Sequence, residues 1–296
     1  MQNLQGIILM ILAMAGFALG DVGIKTLSDS LSLSQIVMTM GVCGTSFFLL
    51  LCRARGQPVL TRGLRHPAVA TRGLAEIAAA LFMVNALALT PLSLVTSVTQ
   101  AGPLLVAIGA VLVFGEKVGW RRWFAILVGL TGVMIVLRPG TADFNILALL
   151  AVGATLALAM RDLSTRAAPK TLSNLQLATV GFASFLVAAL VLIPFTPPWQ
   201  VPTLAQTGLL ALAVCPTIAA YYAITAAMRV GDISVVTPFR YTRLLFGVVL
   251  GIAFFGETVD LWMAIGGTLV VASGIYTVLR EHRLHRQAIS GLQEPR

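Results

Sequence analysis

Charge is what this 296-residue chain has least of. Only 10% of its residues are charged, against about 25% in a soluble domain. Hydrophobic residues make up 58%, and mean hydropathy is +0.93. A soluble fold of this length has too little interior to hide that much apolar surface, so the solvent is lipid. Histidine is nearly absent: His66, His282 and His285 are the three, and none falls in a long apolar run. The three cysteines, Cys43, Cys52 and Cys215, sit in apolar runs without C-x-x-C spacing. Zinc sites, disulfide frameworks and an intramembrane metalloprotease of the H-E-x-x-H kind are therefore excluded, and no metal or cofactor is expected. No G-x-x-x-x-G-K-[ST] loop occurs, which removes ATP-driven chemistry of the P-loop type. Alternation of apolar and polar residues is missing too, so a transmembrane barrel is not indicated.

What is present is a series of long apolar runs. Ten are long enough to cross a bilayer as helices, at about 5–26, 33–52, 72–90, 94–114, 122–138, 144–161, 173–194, 204–226, 234–255 and 261–280. The first run has no basic residue before it and reads as a spanning helix, not a cleaved signal. Net charge is +9, but the basic residues lie in the connectors and form no stripe with interleaved aromatics, so nucleic acid is not a partner. With both termini cytoplasmic, sixteen Lys and Arg fall on the inside, Arg72, Arg161, Arg166 and Lys117 among them, and two outside, Lys25 and Arg138. That bias predicts a multi-pass protein of the cell (inner) membrane with both ends in the cytoplasm.

The scarce polar residues recur 141 positions apart. Asp21 and Lys25 reappear as Asp162 and Arg166, and Gln35 as Gln176. Ser93-Leu-Val-Thr96 reappears as Ser234-Val-Val-Thr237, and Phe114-Gly-Glu116 as Phe255-Gly-Glu257. One loop residue later, Gly132 and Val-Leu-Arg138 reappear as Gly274 and Val-Leu-Arg280. Two homologous halves follow, at 1–140 and 141–282, with a cytoplasmic tail at 283–296. Each half holds five spans. Five is odd, so the second half starts on the other side of the membrane, and the halves are inverted. The fold class expected is an all-α membrane protein of ten helices in two inverted five-helix repeats. Inverted repeats supply two pseudo-equivalent conformations, the basis of alternating access.

The Gly-Glu motif at the ends of spans four and nine, Phe114-Gly-Glu-Lys-Val118 and Phe255-Gly-Glu-Thr-Val259, resembles that of the drug/metabolite transporter superfamily, EamA type. The resemblance covers about 6–280. It implies a central cavity lined by both halves and secondary transport without ATP hydrolysis, with amino-acid export a common activity among members.

Ionisable groups at membrane depth are costly and mark candidate sites. Arg243 lies near the midplane and Arg240 about 7 Å toward the cytoplasm, three residues apart and on one helix face. Together they could clamp a carboxylate or phosphate. No acidic residue lies at the level of Arg243, so it is read as unpaired. Glu76 falls at the depth of Arg240 and is expected to pair with it, as a counter-ion or a proton-coupling group. Tyr221, Tyr222 and Tyr241 offer rings and hydroxyls nearby, and Gln100 precedes the probable bend at Gly102-Pro103. Asn85 and Gln100 are expected to share an interhelical hydrogen bond or line the cavity. Asp21 with Lys25, and Asp162 with Arg166, read as i,i+4 surface pairs or as gates. Glu116 and Glu257 could cap neighbouring helix N-termini. The partners implied are a small-molecule solute, the bilayer and, through Glu76, a proton, in a monomer or a homodimer. An amphipathic amino acid, aromatic types included, satisfies both the arginines and the apolar lining. A dicarboxylate or a riboflavin-like vitamin is the alternative. A channel or scaffold of the same fold is the rival class, and an enzyme lacks its constellation.

Overall fold

The computed structural model describes residues 2–59, 61–116, 119–141, 144–230 and 233–291. Lys117 and the end of the tail, 292–296, lie outside them. The described residues contain ten helices long and apolar enough to cross a membrane, and no strand. They are α1 Asn3–Ser28, α2 Leu33–Ala54, α3 Pro67–Leu89, α4 Leu92–Phe114, α5 Trp120–Leu137, α6 Ile146–Ala167, α7 Asn174–Phe195, α8 Leu204–Ala227, α9 Thr237–Phe255 and α10 Leu261–Arg280. Helical backbone continues beyond α10 to Gly291, through most of the expected tail.

The tightest helix pairs join the two halves. They are α1 with α8, α3 with α6, α2 with α7, and α5 with α10. The 141-residue shift carries α1 onto α6 and α3 onto α8, so the first two pairs are copies of each other. The other two map onto themselves, as expected of two five-helix repeats about a pseudo-two-fold axis. Polar anchors obey the same relation. Gln35 Nε2 donates to the Gln200 carbonyl at 2.8 Å, and Gln176 Nε2 to the Pro58 carbonyl at 2.6 Å.

Small residues make the close approaches, because lipid gives helices little hydrophobic reason to associate and packing must do it. On α1, a Cβ at Gly16 would lie 2.9 Å from the Pro216 carbonyl oxygen, and one at Gly23 2.7 Å from the Ala213 nitrogen. At the α5–α10 crossing, a Cβ at Gly132 would lie 2.6 Å from the Gly266 carbonyl oxygen.

The two Phe-Gly-Glu motifs end α4 and α9 in the same way. Gly115 and Gly256 take φ of 65° and 60°, the left-handed region that glycine tolerates best. The turn aims Glu116 and Glu257 back toward the protein. At the start of α10, Asp260 accepts the Met263 N–H at 2.8 Å and pairs with Arg138. That backbone N–H and the Arg138 guanidinium hold its carboxyl below the usual carboxylate range. The capping contribution is thus present at neutral pH and fades as pH falls through that lowered value.

Gly132→Leu is expected to lower melting temperature and monodisperse yield in detergent, since overpacking a tight contact costs at least about 1–3 kcal/mol. Gly208→Leu, where a Cβ meets nothing within 4 Å, is the matched control and should change little.

Candidate functional site

Two polar clusters occupy the membrane-spanning region. The first lies toward the face from which α1 starts, where α3, α6, α8 and α9 converge. Arg72 is 2% exposed and the largest fully buried side chain. Its Nη2 donates to the Tyr221 hydroxyl at 2.8 Å, its Nε to Thr165 Oγ1 at 3.0 Å, and it lies 3.5 Å from Glu76 Oε2. Arg161 reaches Glu76 Oε1 at 3.4 Å and Asp162 Oδ1 at 2.8 Å. Gly181 on α7 leaves room for this group, since a Cβ there would sit 3.3 Å from Arg72 and Glu76. The Tyr221 ring packs edge-on against Phe48 and Phe182. The Arg161 and Asp162 side chains are 20% and 33% exposed, so the cluster is not fully enclosed by protein.

Glu76 therefore pairs with Arg72 and Arg161, not with Arg240 as the depths had suggested. Arg72 and Arg161, assigned to connectors on sequence, lie within α3 and α6. The Arg72-x-x-x-Glu76 spacing was the signal that could have found the first pair, because residues four apart share a helix face. Arg240 is partly buried and, among the described residues, makes no ion pair or hydrogen bond; its charge is felt by Asp162. The cluster thus holds three arginines against two carboxylates, and Arg240 is the uncompensated charge.

The second cluster lies toward the opposite face. Arg243 is not unpaired: its Nη2 binds Asp21 Oδ2 at 2.7 Å, and its guanidinium lies 5.3 Å from the centre of the Phe17 ring. Arg243 reaches across to α1, beyond the level of its own backbone, to find this carboxylate. Arg240 lies in the 3-10 segment Thr237–Tyr241, and Arg243 in the α-helix that starts at Thr242. Lys25 donates to the Thr90 carbonyl at 2.6 Å, lies 3.9 Å from Glu257 and sits over Phe255. Its repeat mate Arg166 pairs with Glu116 and sits over Phe114. So the i,i+4 pairs Asp21–Lys25 and Asp162–Arg166 do not form; each residue binds another partner. Glu257 also caps α4, accepting the Leu92 and Ser93 N–H at 2.6 and 2.9 Å.

The remaining candidates separate. Tyr222 is 37% exposed, and its hydroxyl accepts from Arg55 at 2.7 Å, away from the cluster that holds Tyr221. Asn85 donates to the Leu81 carbonyl of its own helix at 2.8 Å rather than to Gln100. It opens onto a cavity of about 330 Å³ at the opposite face, with Asp29, Ser32 and Thr196. Gln100 is 6% exposed and Tyr241 4% exposed; among the described residues the Tyr241 hydroxyl is buried without a partner, and no hydrogen bond is found for the Gln100 amide.

The profile of the EamA-like transporter family matches residues 4–138 and again 145–280. The chain belongs to that family. This EamA-like protein is 32% identical over 194 residues to a riboflavin transporter of Vibrio cholerae serotype O1, across 64% of the chain and 63% of the relative's length. It is 26% identical to an S-adenosylmethionine uptake transporter of Rickettsia bellii, over 67% of each chain. Against a pseudopaline exporter of Pseudomonas aeruginosa it is 26% identical over 92% of this chain and 95% of the relative. A crystal structure at 20% identity overlays on 94% of this chain and 97% of its own, with a TM-score of 0.62, and shows the same fold.

Arg243→Gln would leave Asp21 as a lone carboxylate 7% exposed, and Asp21→Asn would strand the cation. Each single change is expected to destabilise by about 3–5 kcal/mol, and the double Asp21→Asn/Arg243→Gln by clearly less than the sum. Thermal melts of the four proteins in detergent check this.

Proposed function

We propose that this EamA-like protein is a secondary transporter that moves a small amphipathic metabolite with an anionic group, by alternating access, and that Arg240 anchors that group. The observation that carries the reading is the state of Arg240. Arg72, Arg161, Arg166, Arg243 and Lys25 all have acidic partners at membrane depth. Among the described residues Arg240 has no ion-pair partner, and the cluster around it holds three arginines against Glu76 and Asp162. An unbalanced guanidinium there is stabilised by an anion arriving with the solute, which its planar fork suits. Tyr221 supplies an aromatic wall and a hydroxyl beside the same cluster. An amino acid, including the aromatic kind, matches this pairing of charge and ring. Glu76, tied to two arginines, is best read as a counter-ion, which leaves proton coupling without a free carboxylate in this cluster.

The gates of this cycle are the ion pairs Lys25–Glu257 and Arg166–Glu116, one near each face and each joining one half to the other. In an inverted repeat, opening one face while closing the other exchanges the environments of the two pairs. Both termini are placed in the cytoplasm, since withdrawing Arg72 and Arg161 from the sixteen inside basic residues leaves the bias intact.

A riboflavin-like solute is the second reading, favoured by the Vibrio cholerae relative. Counterflow in proteoliposomes separates the two. Arg240→Gln is expected to leave the protein folded and raise KM for a carboxylate solute about tenfold or more, as expected for a lost charge-assisted hydrogen bond of about 1.5–3 kcal/mol. Arg240→Lys should recover part of the loss, because a point charge cannot reproduce the bidentate fork. Unchanged kinetics in Arg240→Gln would remove the anionic requirement and leave the riboflavin-like reading.

A further inference from the structure

The antiparallel register of α4 and α9 locates the pseudo-two-fold axis. Ser93 N lies 3.6 Å from a Cβ built at Gly251, and a Cβ at Gly247 would collide with Thr96. Carried on past the next turn, this register brings Ala101 opposite Thr242. Those two residues are repeat mates, 141 apart, so the axis passes between them. Both helices are broken at that point. The first segment of α4 ends at Thr99 and the second begins at Gly102, while α9 runs as 3-10 helix from Thr237 to Tyr241 before turning α-helical at Thr242.

Each break carries a buried polar side chain without a partner. Gln100 and Tyr241 are themselves repeat mates, one residue from the axis. Gln100 is 94% buried, yet its amide makes no hydrogen bond and is not fully enclosed by protein atoms. The Tyr241 hydroxyl is enclosed, has no partner, and rests where Gly274 leaves room; a Cβ on Gly274 would overlap it. Leaving such groups unpaired costs free energy that Leu or Phe at the same crossing would avoid. Discontinuous helices at the repeat interface are where transporters of inverted design hold solute, because freed backbone groups gather there. Arg240 is the chain neighbour of Tyr241.

We propose that Gln100 and Tyr241 are the specificity-determining pair of the solute site, and that they read a donor–acceptor edge, such as a ring amide or imide, on a solute whose anionic group lies on Arg240. A free carboxamide offers an N–H and a C=O side by side, which pair bidentately with an adjacent acceptor and donor. The phenol adds one hydrogen bond that can run in either direction. The solute class that follows is a small cyclic amide or imide bearing a carboxylate or phosphate. The inference rests on Arg240 as the anchor, and the test separates the two.

The probes are orotate, which has both groups, benzoate, which has the anion alone, and uracil, which has the edge alone. Binding is read as the ligand-induced rise in melting temperature across a concentration series in detergent. Wild type is expected to bind orotate more tightly than either fragment. Gln100→Met should raise the melting temperature of the ligand-free protein, because the unpaired amide is gone. It should also weaken orotate at least about tenfold while leaving benzoate unchanged. Tyr241→Phe should act in the same direction. A lower ligand-free melting temperature in Gln100→Met would make the amide structural and overturn the proposal. So would an orotate response unaltered in both variants, a wild type that binds orotate no better than benzoate, or no response to any probe. Arg240→Gln should abolish the benzoate response and keep that to uracil. If it leaves benzoate binding intact while Gln100→Met still weakens orotate, the anchor reading fails and the edge reading stands.

Discussion

Hydrocarbon offers no water, so every charge at membrane depth must be answered by another part of the protein. In this chain the answer nearly always comes from the other half. Asp21 is held by Arg243, Lys25 by Glu257, Glu76 by Arg161 and Glu116 by Arg166. Each pair joins a residue before 141 to one after it. The buried pairs resist separation of the halves, whereas Glu116–Arg166, with Arg166 56% exposed, holds them less tightly. Motion of one half against the other has to trade partners or move pairs into water at one face at a time.

The repeat conserves geometry more than chemistry. The α1–α8 and α3–α6 interfaces are copies, yet the first is closed by Gly16, Gly20, Gly23, Ala213 and Thr217. The second carries Arg72, Glu76, Arg161 and Asp162. By the 141-residue shift, Ala213 stands where Arg72 does, Thr217 where Glu76 does, and Gly20 where Arg161 does. One interface is packed on backbone, and the other is charged. For the anionic solute proposed above, the electrostatic attraction would lie on the side of the membrane where α1 begins, and the two faces would be unequal even though the backbone treats them alike.

Much of the fold was legible because it rests on patterns that tolerate error. Ten apolar runs give ten helices whatever their exact ends, and Asp21, Lys25, Gln35 and Glu116 with their mates reveal the duplication because charges are rare here. The site was less legible because it depends on rotation about helix axes and on reach. Arg240 and Arg243 look equivalent three residues apart, but Arg243 has Asp21 of α1 within reach and Arg240 has no such partner among the described residues, so the roles assigned to them exchange. Arg72 and Arg161 sit so near the ends of their apolar runs that composition places them in connectors, although the helices continue past them. Asn85 turned to its own i−4 carbonyl, a local bond that no pattern of spans reveals.

The central claim is that the Lys25–Glu257 and Arg166–Glu116 pairs close opposite faces of one solute path and open in turn. Pulsed electron–electron spin distances test it most directly, with one label pair across α1 and α9 beside Lys25 and another across α6 and α4 beside Arg166. In proteoliposomes, adding transported solute should lengthen one distance distribution as the other shortens. If both distances move together, or neither responds to a solute that is demonstrably carried, the two pairs are fixed structural ties and the alternating account is wrong.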